Sequence, residues 1–139
     1  MRYKKAEKLY MVRIDRGEEI IERLRVFAEK EKIDFASVQG LGAVSEFIVG
    51  VYDAKKKKYA ANHFLGSYEI VSLTGTIDRL NGEFYCHLHM SAADGQGRVF
   101  GGHLNRAVVG ATCEMLVRID AGSVERKYDE EIGLNLWNL

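Results

Sequence analysis

Residues 68–90 read YEIVSLTGTIDRLNGEFYCHLHM, and this stretch decides the fold. Tyr68 to Ile77 is a long apolar segment rich in residues that favour β-strands. Asn81-Gly82 follows it, and this dipeptide supplies the two positive-φ positions of a type I′ turn. Phe84 to Met90 favours a strand again, so the stretch predicts an antiparallel hairpin.

The second strand of this hairpin carries a pair of histidines. Side chains two positions apart on a strand point to the same face of the sheet. His87 and His89 are therefore expected to be neighbours. The residues between and beside them are expected to face the opposite side, namely Cys86, Leu88 and Met90.

A third histidine follows the next turn. Residues 94–97 reverse the chain, and the glycine pair Gly101-Gly102 leaves space in front of His103. Three imidazoles from neighbouring strands with a vacant fourth position form the layout of an open zinc site. Imidazole-only ligation favours zinc among the divalent metals. The sequence thus predicts zinc or another divalent metal bound by His87, His89 and His103.

Other interpretations of the histidines stay open. The three could be polar strand residues that are hydrogen-bonded to Ser91 or to water. A bound metal would not by itself imply catalysis, because a hydrolytic zinc site also needs a positioned acid or base. The sequence does not rank the acidic residues for that role. The fourth histidine, His63, is interpreted as a surface or edge residue rather than a ligand.

A helix is predicted near the N-terminus. Asp15 and Glu18 have the spacing of a capping box. Apolar residues then recur at helical intervals with charged residues between them, which predicts an amphipathic helix of about 14 residues. The apolar residues of this pattern are Ile20, Ile21, Leu24, Phe27 and Ala28.

The remaining segments favour strands. Phe35 to Val44 contains Gly40 and Gly42, which indicate a strand that bends or approaches other backbone closely. Residues 53–58 include four lysines and are typical of a solvated hairpin tip. The tail after Ser123 carries too many large apolar groups for a disordered end. The predicted fold class is α+β: a mostly antiparallel sheet with one principal amphipathic helix packed on it, in a single domain of residues 1–139.

Composition excludes several classes of protein. The chain has 139 residues, 20 Lys+Arg against 20 Asp+Glu, and no proline. Zero net charge leaves no global field for a polyanion such as DNA. The absence of proline excludes PxxP segments and the R-G-R-P core of an AT-hook. Cys86 and Cys113 are far apart, so neither a disulfide framework nor a thiolate zinc site is predicted.

The sequence also has no feature of a membrane or secretory protein. No stretch approaches the ~20 apolar residues that a membrane span requires. The basic N-terminus is followed by Arg13 and Asp15 rather than by the apolar core of a signal peptide. A cytoplasmic location without a membrane partner is therefore expected.

Four motifs together resemble one known family. They are Gly40-Leu41-Gly42-Ala43-Val44, residues 66–75 (GSYEIVSLTG), His87-Leu88-His89 and residues 97–104 (GRVFGGHL). In combination they resemble the plants-and-prokaryotes-conserved (PPC) domain family from about Tyr10 to Gly133. The resemblance implies an α+β fold with a largely antiparallel sheet, and a homotrimer. In land plants the domain follows AT-hook motifs in nuclear DNA-binding proteins, where it mediates oligomerisation and contacts with transcription factors. This chain resembles the stand-alone prokaryotic type.

The expected function is a small homotrimeric binding or oligomerisation module, associated with DNA or transcription through protein partners, that carries the three-histidine metal site. The alternative is a zinc-dependent enzyme or a small-ligand-binding protein that uses the same histidines. The further candidate site residues are Glu69, Arg98, Gly101 and Gly102. Glu69 is expected to face water at an edge, or to pair with Arg98 or Arg106 across a subunit boundary, because a buried carboxylate without a partner is costly.

Overall fold

The computed structural model describes residues 1–120 and 122–139. One helix and eight strands make up the described part of the chain. In chain order they are β1 (Arg2–Ala6), β2 (Leu9–Asp15), α1 (Ile20–Glu31), β3 (Ala36–Asp53), β4 (Lys58–Leu80), β5 (Glu83–Ala93), β6 (Val99–Ile119), β7 (Glu125–Asp129) and β8 (Leu134–Trp137).

The strands form one sheet in the order β1-β2-β6-β3-β4-β7-β8, and β5 pairs with both β4 and β6. Four long strands thereby pair in a closed circuit, β3 with β4, β4 with β5, β5 with β6 and β6 with β3. Apart from the parallel β4–β7 pair, the named strands pair antiparallel. The predicted α+β class with a mostly antiparallel sheet is confirmed.

The hairpin predicted from residues 68–90 is present. Asn81 and Gly82 have φ angles of 54° and 76°, as a type I′ turn requires. Leu80 pairs with Glu83, and the ladder continues to Glu69 opposite Ala93. The first strand is longer than predicted, because Gly66, with φ of 133°, lets β4 continue from Lys58 without a break.

Helix α1 begins later than the capping box predicts. Its N-cap is Glu19, whose carboxylate accepts a hydrogen bond from Glu22 N at 2.7 Å. Glu18 does accept from Asp15 N at 2.9 Å, but this contact closes the turn that precedes the helix. The predicted start at Asp15 is therefore wrong, and the helix has 12 residues. Its predicted apolar face is buried at Ile20, Leu24, Phe27 and Ala28.

The glycines of β3 mark a bend, as expected. The pairing register with β4 shifts between Gly40 and Gly42. A Cβ on Gly42 would lie 2.2 Å from the carbonyl oxygen of Thr112, so only glycine permits this approach of β3 to β6.

The tail is ordered, as predicted, and is joined to the sheet by a buried ion pair. Strand β7 runs parallel to β4, with Arg79 opposite Glu125. Arg126 and Asp78 are 7% and 0% exposed, and they contact each other through two hydrogen bonds. Within the described residues, no helix has the length and apolar character needed to cross a membrane.

Candidate metal centre

The structure brings the three predicted histidines together. His87 and His89 lie on β5, and His103 on β6 is directly opposite His89. The ring centroids are 5.2, 5.1 and 5.7 Å apart. One nitrogen from each ring lies within 4.8 Å of the other two. Because three strong ligands converge from two adjacent strands, the cluster has the layout of an open metal site.

The donor set fits a divalent metal. Zinc bound tetrahedrally at ~2.0–2.1 Å holds neighbouring nitrogens about 3.3 Å apart. The three nitrogens lie within 4.8 Å of one another, so they would have to move closer together to bind the ion. His87 and His103 are half-buried and His89 is exposed. The rings make no hydrogen bond to another residue within 1–120 and 122–139, whereas His63 Nε2 contacts Glu46 Oε1 at 3.1 Å.

The alternation along β5 is as predicted. Leu88 and Met90 are 0% and 2% exposed and belong to the hydrophobic core. Cys86 is half-buried on the same side, and burial raises the pKa of its thiol to about 12. A protonated thiol is a poor metal ligand, so Cys86 is a packing residue.

The surroundings of His87 and His103 favour their neutral forms. Burial, followed by the charges of His87, His89 and Arg126, lowers the pKa of His103 to about 4. Burial, followed by Arg126 and His89, also lowers the pKa of His87, while Asp78 opposes this change. Neutral imidazole has the free lone pair that a metal requires, so these two residues are in the ligating form at neutral pH.

Gly101 and Gly102 position His103 by letting β6 approach its neighbours. A Cβ on Gly101 would lie 2.8 Å from the carbonyl oxygen of Met90, on β5. A Cβ on Gly102 would lie 2.5 Å from the carbonyl oxygen of Gly50, on β3. These two predicted site residues therefore shape the backbone and offer no side chain to a ligand.

Glu69 and Arg98 lie apart from the histidines. Glu69 is exposed and, within the described chain, forms no ion pair. Arg98 instead contacts Asp94 at 2.7 Å in the β5–β6 turn, and Arg106 contacts Glu46 at 3.6 Å. The expectation that Glu69 faces water agrees with its exposure, and its pairing across a subunit boundary stays a prediction.

A cavity of about 780 Å³ opens beside the histidines, and most of its lining residues are not histidines. Strands β3, β4, β5 and β6 and the β7–β8 hairpin all contribute residues to its lining. Besides the histidines, the lining includes Val51, Tyr59, Tyr85, Arg126, Leu134 and Leu136. None of the described lining residues is Asp or Glu.

Two aromatic residues support this cavity. The Tyr59 hydroxyl donates to Asn105 Oδ1 and lies 3.3 Å from the carbonyl oxygen of His103. A Cβ on Gly50 would collide with the Tyr59 ring, so glycine there gives the ring its place beside His103. Tyr85 stacks against the Arg126 guanidinium at 5.0 Å.

Arg126 is held rigidly beside the site. Its Nε and Nη2 donate to the two carboxylate oxygens of Asp78 at 2.9 and 2.8 Å, and its Nη1 donates to the carbonyl oxygen of Asn135 at 2.9 Å. Trp137 Nε1 and Thr76 Oγ1 also donate to Asp78, at 2.9 and 3.0 Å. The network joins the β7–β8 hairpin to β4 beside the histidines.

Neither Tyr85 nor Arg126 was predicted from the sequence as part of the site. Tyr85 had a usable signal, since it stands two positions before His87 on the same face of β5. Arg126 had none, because 48 residues separate it from Asp78 and no local pattern links β7 to the edge of β4.

Comparison with protein families settles the classification. The model of the Plants and Prokaryotes Conserved (PCC) domain, also abbreviated PPC, matches residues 1–119. The chain belongs to this family. The match covers the three histidines and ends before β7 and β8, so the hairpin that completes the cavity lies beyond the matched part of this PCC protein.

Solved structures of several proteins are similar to this one along nearly the whole chain. A candidate DNA-binding protein from Bacteroides thetaiotaomicron is 31% identical, with a TM-score of 0.95, over 99% of this chain and 96% of that one. A plant- and prokaryote-conserved (PPC) protein from Pyrococcus horikoshii is 32% identical, with a TM-score of 0.87, over 99% and 95%. A metal-containing protein from Archaeoglobus fulgidus is 30% identical, with a TM-score of 0.87, over 99% and 98%. A search of curated proteins finds no match.

Proposed function

We propose that this PCC protein is a small homotrimeric binding module that holds a divalent metal, zinc first, with His87, His89 and His103. The main support for a metal site is that three imidazole nitrogens on adjacent strands lie within 4.8 Å of one another. The similar protein from Archaeoglobus fulgidus is described as metal-containing, which supports the same assignment here.

Elemental analysis of protein purified without a histidine tag tests the metal. We expect about one zinc per chain, because each chain carries one set of three imidazole ligands. In the variant His87→Ala/His89→Ala, zinc affinity is expected to fall by more than the roughly 10–100-fold that loss of an outer hydrogen-bond partner costs.

His63→Ala is the matched control for that experiment. It removes a half-exposed imidazole that contacts Glu46 and lies outside the cluster, so metal content is expected to stay unchanged. Sub-stoichiometric metal in the parent protein, or metal that the double variant retains, would contradict the proposal.

An exposed apolar surface supports self-association. Four large apolar side chains are exposed on neighbouring strands β2, β6, β3 and β4. They line an open cavity of about 900 Å³ and are 39–60% exposed, namely Met11, Leu41, Val71 and Leu116. Contiguous apolar surface of this kind is typical of protein interfaces. We assign this surface to contacts with further copies of the chain.

We propose that this chain associates with DNA indirectly, by binding protein partners. The related protein from Bacteroides thetaiotaomicron is described as a candidate DNA-binding protein. This chain has formal net charge +0, which leaves no global positive field to attract the phosphates of DNA. A partner would therefore provide the contact with DNA.

Light scattering on the purified chain tests the module, alone and with a short DNA duplex at physiological salt. We expect a mass of three chains of 15.7 kDa each in both runs. Leu41→Glu, at a side chain that is 60% exposed, is expected to lower the mass towards one chain. A parent mass equal to one chain, or a salt-resistant complex of the chain with DNA, would contradict this part of the proposal.

The cavity beside the histidines favours a second candidate function, a zinc-dependent enzyme or a small-ligand-binding protein. A bound zinc supplies Lewis acidity and a water nucleophile. Hydrolysis also needs a positioned base, and no Asp or Glu lines the cavity within the described residues. Ligand binding is therefore the better supported of these two roles.

A further inference from the structure

The cavity beside the histidines has a one-sided charge. Its titratable lining consists of histidines, tyrosines and Arg126. Asp78, which balances Arg126, is 0% exposed and accepts hydrogen bonds from Arg126, Trp137 and Thr76. With a divalent metal on the histidines, the cavity would therefore carry a net positive charge that no lining carboxylate offsets.

Another part of the lining is apolar and accessible. Val51, Leu134 and Leu136 are 64%, 40% and 38% exposed, although each is a large hydrophobic residue. Leu134 and Leu136 stand two positions apart on β8, so both present the same face to the cavity. A hydrocarbon group placed there would remove this apolar surface from water, which is favourable.

Two hydrogen-bond donors also line the cavity, Asn105 and Arg126. The Oδ1 atom of Asn105 accepts from the Tyr59 hydroxyl, which leaves the amide nitrogen of Asn105 free to donate. Three of the five N–H groups of Arg126 are used within the described residues, and the guanidinium lines the cavity. Both groups suit an oxygen acceptor.

We propose that this cavity binds a small organic carboxylate with an aliphatic body. The acid group would lie against a metal held by the three histidines and near Arg126. The hydrocarbon part lies against Val51, Leu134 and Leu136. The inference deepens the proposed function and rests on it, because the metal supplies much of the attraction for the acid.

Isothermal titration of the zinc-loaded protein with acetate, butyrate and hexanoate tests the ligand class. We expect binding to tighten by about fourfold for each added methylene that is buried. Hexylammonium has a similar chain and the opposite charge, and it is expected to show no binding. Equal affinity along the acid series, or equal binding of hexylammonium, would overturn the inference.

Substitutions at Leu134 test the location. Leu134→Glu places a like charge at the cavity and is expected to weaken hexanoate binding about fivefold relative to Leu134→Gln, which loses the same apolar contact. Leu139→Glu is the matched control, since Leu139 is 99% exposed and does not line the cavity. Both positions of change are exposed, and circular dichroism checks that each of the three variants is folded. Equal weakening by Leu134→Glu and Leu139→Glu would place the ligand elsewhere.

The zinc content of the same samples shows whether a negative result contradicts the carboxylate inference alone or the proposed metal function as well. If zinc binds to the parent protein and hexanoate does not, the carboxylate inference fails alone. If zinc does not bind, the proposed metal function fails, and the carboxylate inference fails with it.

Discussion

Replacing Arg126 with alanine is expected to destabilise the protein by about 3–5 kcal/mol, because it leaves a buried charge without its partner. The Asp78 carboxylate is 0% exposed and would keep only the neutral donors of Trp137 and Thr76. The carbonyl oxygen of Asn135 would lose its donor as well. Urea unfolding followed by far-UV circular dichroism measures the change.

Arg98→Ala is the matched control for Arg126→Ala. Arg98 also contacts an aspartate, Asp94, through Nε and Nη2 at 2.7 Å, but its side chain is 66% exposed. Exposed ion pairs of this kind contribute about 0–1 kcal/mol, so the loss is expected to be small. If both variants lost the same free energy of unfolding, burial would not explain the contribution of the Asp78–Arg126 pair to stability.

A double variant distinguishes the loss of the ion pair from the cost of leaving one buried charge without a partner. Replacement of both Asp78 and Arg126 by apolar residues of similar volume, Asp78→Leu/Arg126→Met, removes both charges together. Such replacements are often neutral or stabilising. We expect the double variant to be more stable than Arg126→Ala, although Trp137 and Thr76 lose their acceptor.

Gly75→Ala is expected to destabilise the protein by about 3 kcal/mol, near the upper end of the range for overpacking. Gly75 on β4 stands opposite Leu88 on β5, and a Cβ there would lie 1.9 Å from the carbonyl oxygen of His87. The obstacle is backbone, so it cannot rotate away, and β5 must shift. The φ angle of 156° at Gly75 is also unfavourable for a residue with a side chain.

The same shift should reach the metal centre, since it displaces the backbone of His87. We therefore expect Gly75→Ala to weaken zinc binding as well as folding, measured by zinc titration at a temperature where the variant is folded. Gly95→Ala is the control, because a Cβ on Gly95 meets nothing within 4 Å. Gly95→Ala is expected to leave zinc binding unchanged and to stabilise the protein by at most about 1 kcal/mol. Unchanged zinc affinity in folded Gly75→Ala would contradict the coupling.

Local patterns were sufficient for the elements that carry the histidines. Asn81-Gly82 specified the turn because its two positive φ angles are cheap for these residues, and the period of two placed His87 and His89 on one face. The same reasoning placed Leu88 in the core, where it is fully buried. Each of these inferences concerns residues that are near one another along the chain.

Local reasoning was less accurate at element boundaries. Asp15 and Glu18 fit the capping box, yet the helix starts at Ile20 with Glu19 as its N-cap. The Glu19 backbone pairs with Val108 on β6, and the Glu19 carboxylate accepts from Ala107 N at 2.9 Å. These contacts with β6 tie Glu19 to the sheet, and a pattern within residues 15–18 does not contain them.

The amino-acid order alone specified the hairpin, the amphipathic face of the helix and the three histidines on neighbouring strands, because turn geometry and side-chain periodicity act over a few residues. The tertiary structure alone decided that β7 pairs with β4, that Arg126 meets Asp78, and that Leu134 joins the cavity beside the histidines. Those contacts connect segments about 50 residues apart, and they form only where complementary edges and charges meet in the folded chain.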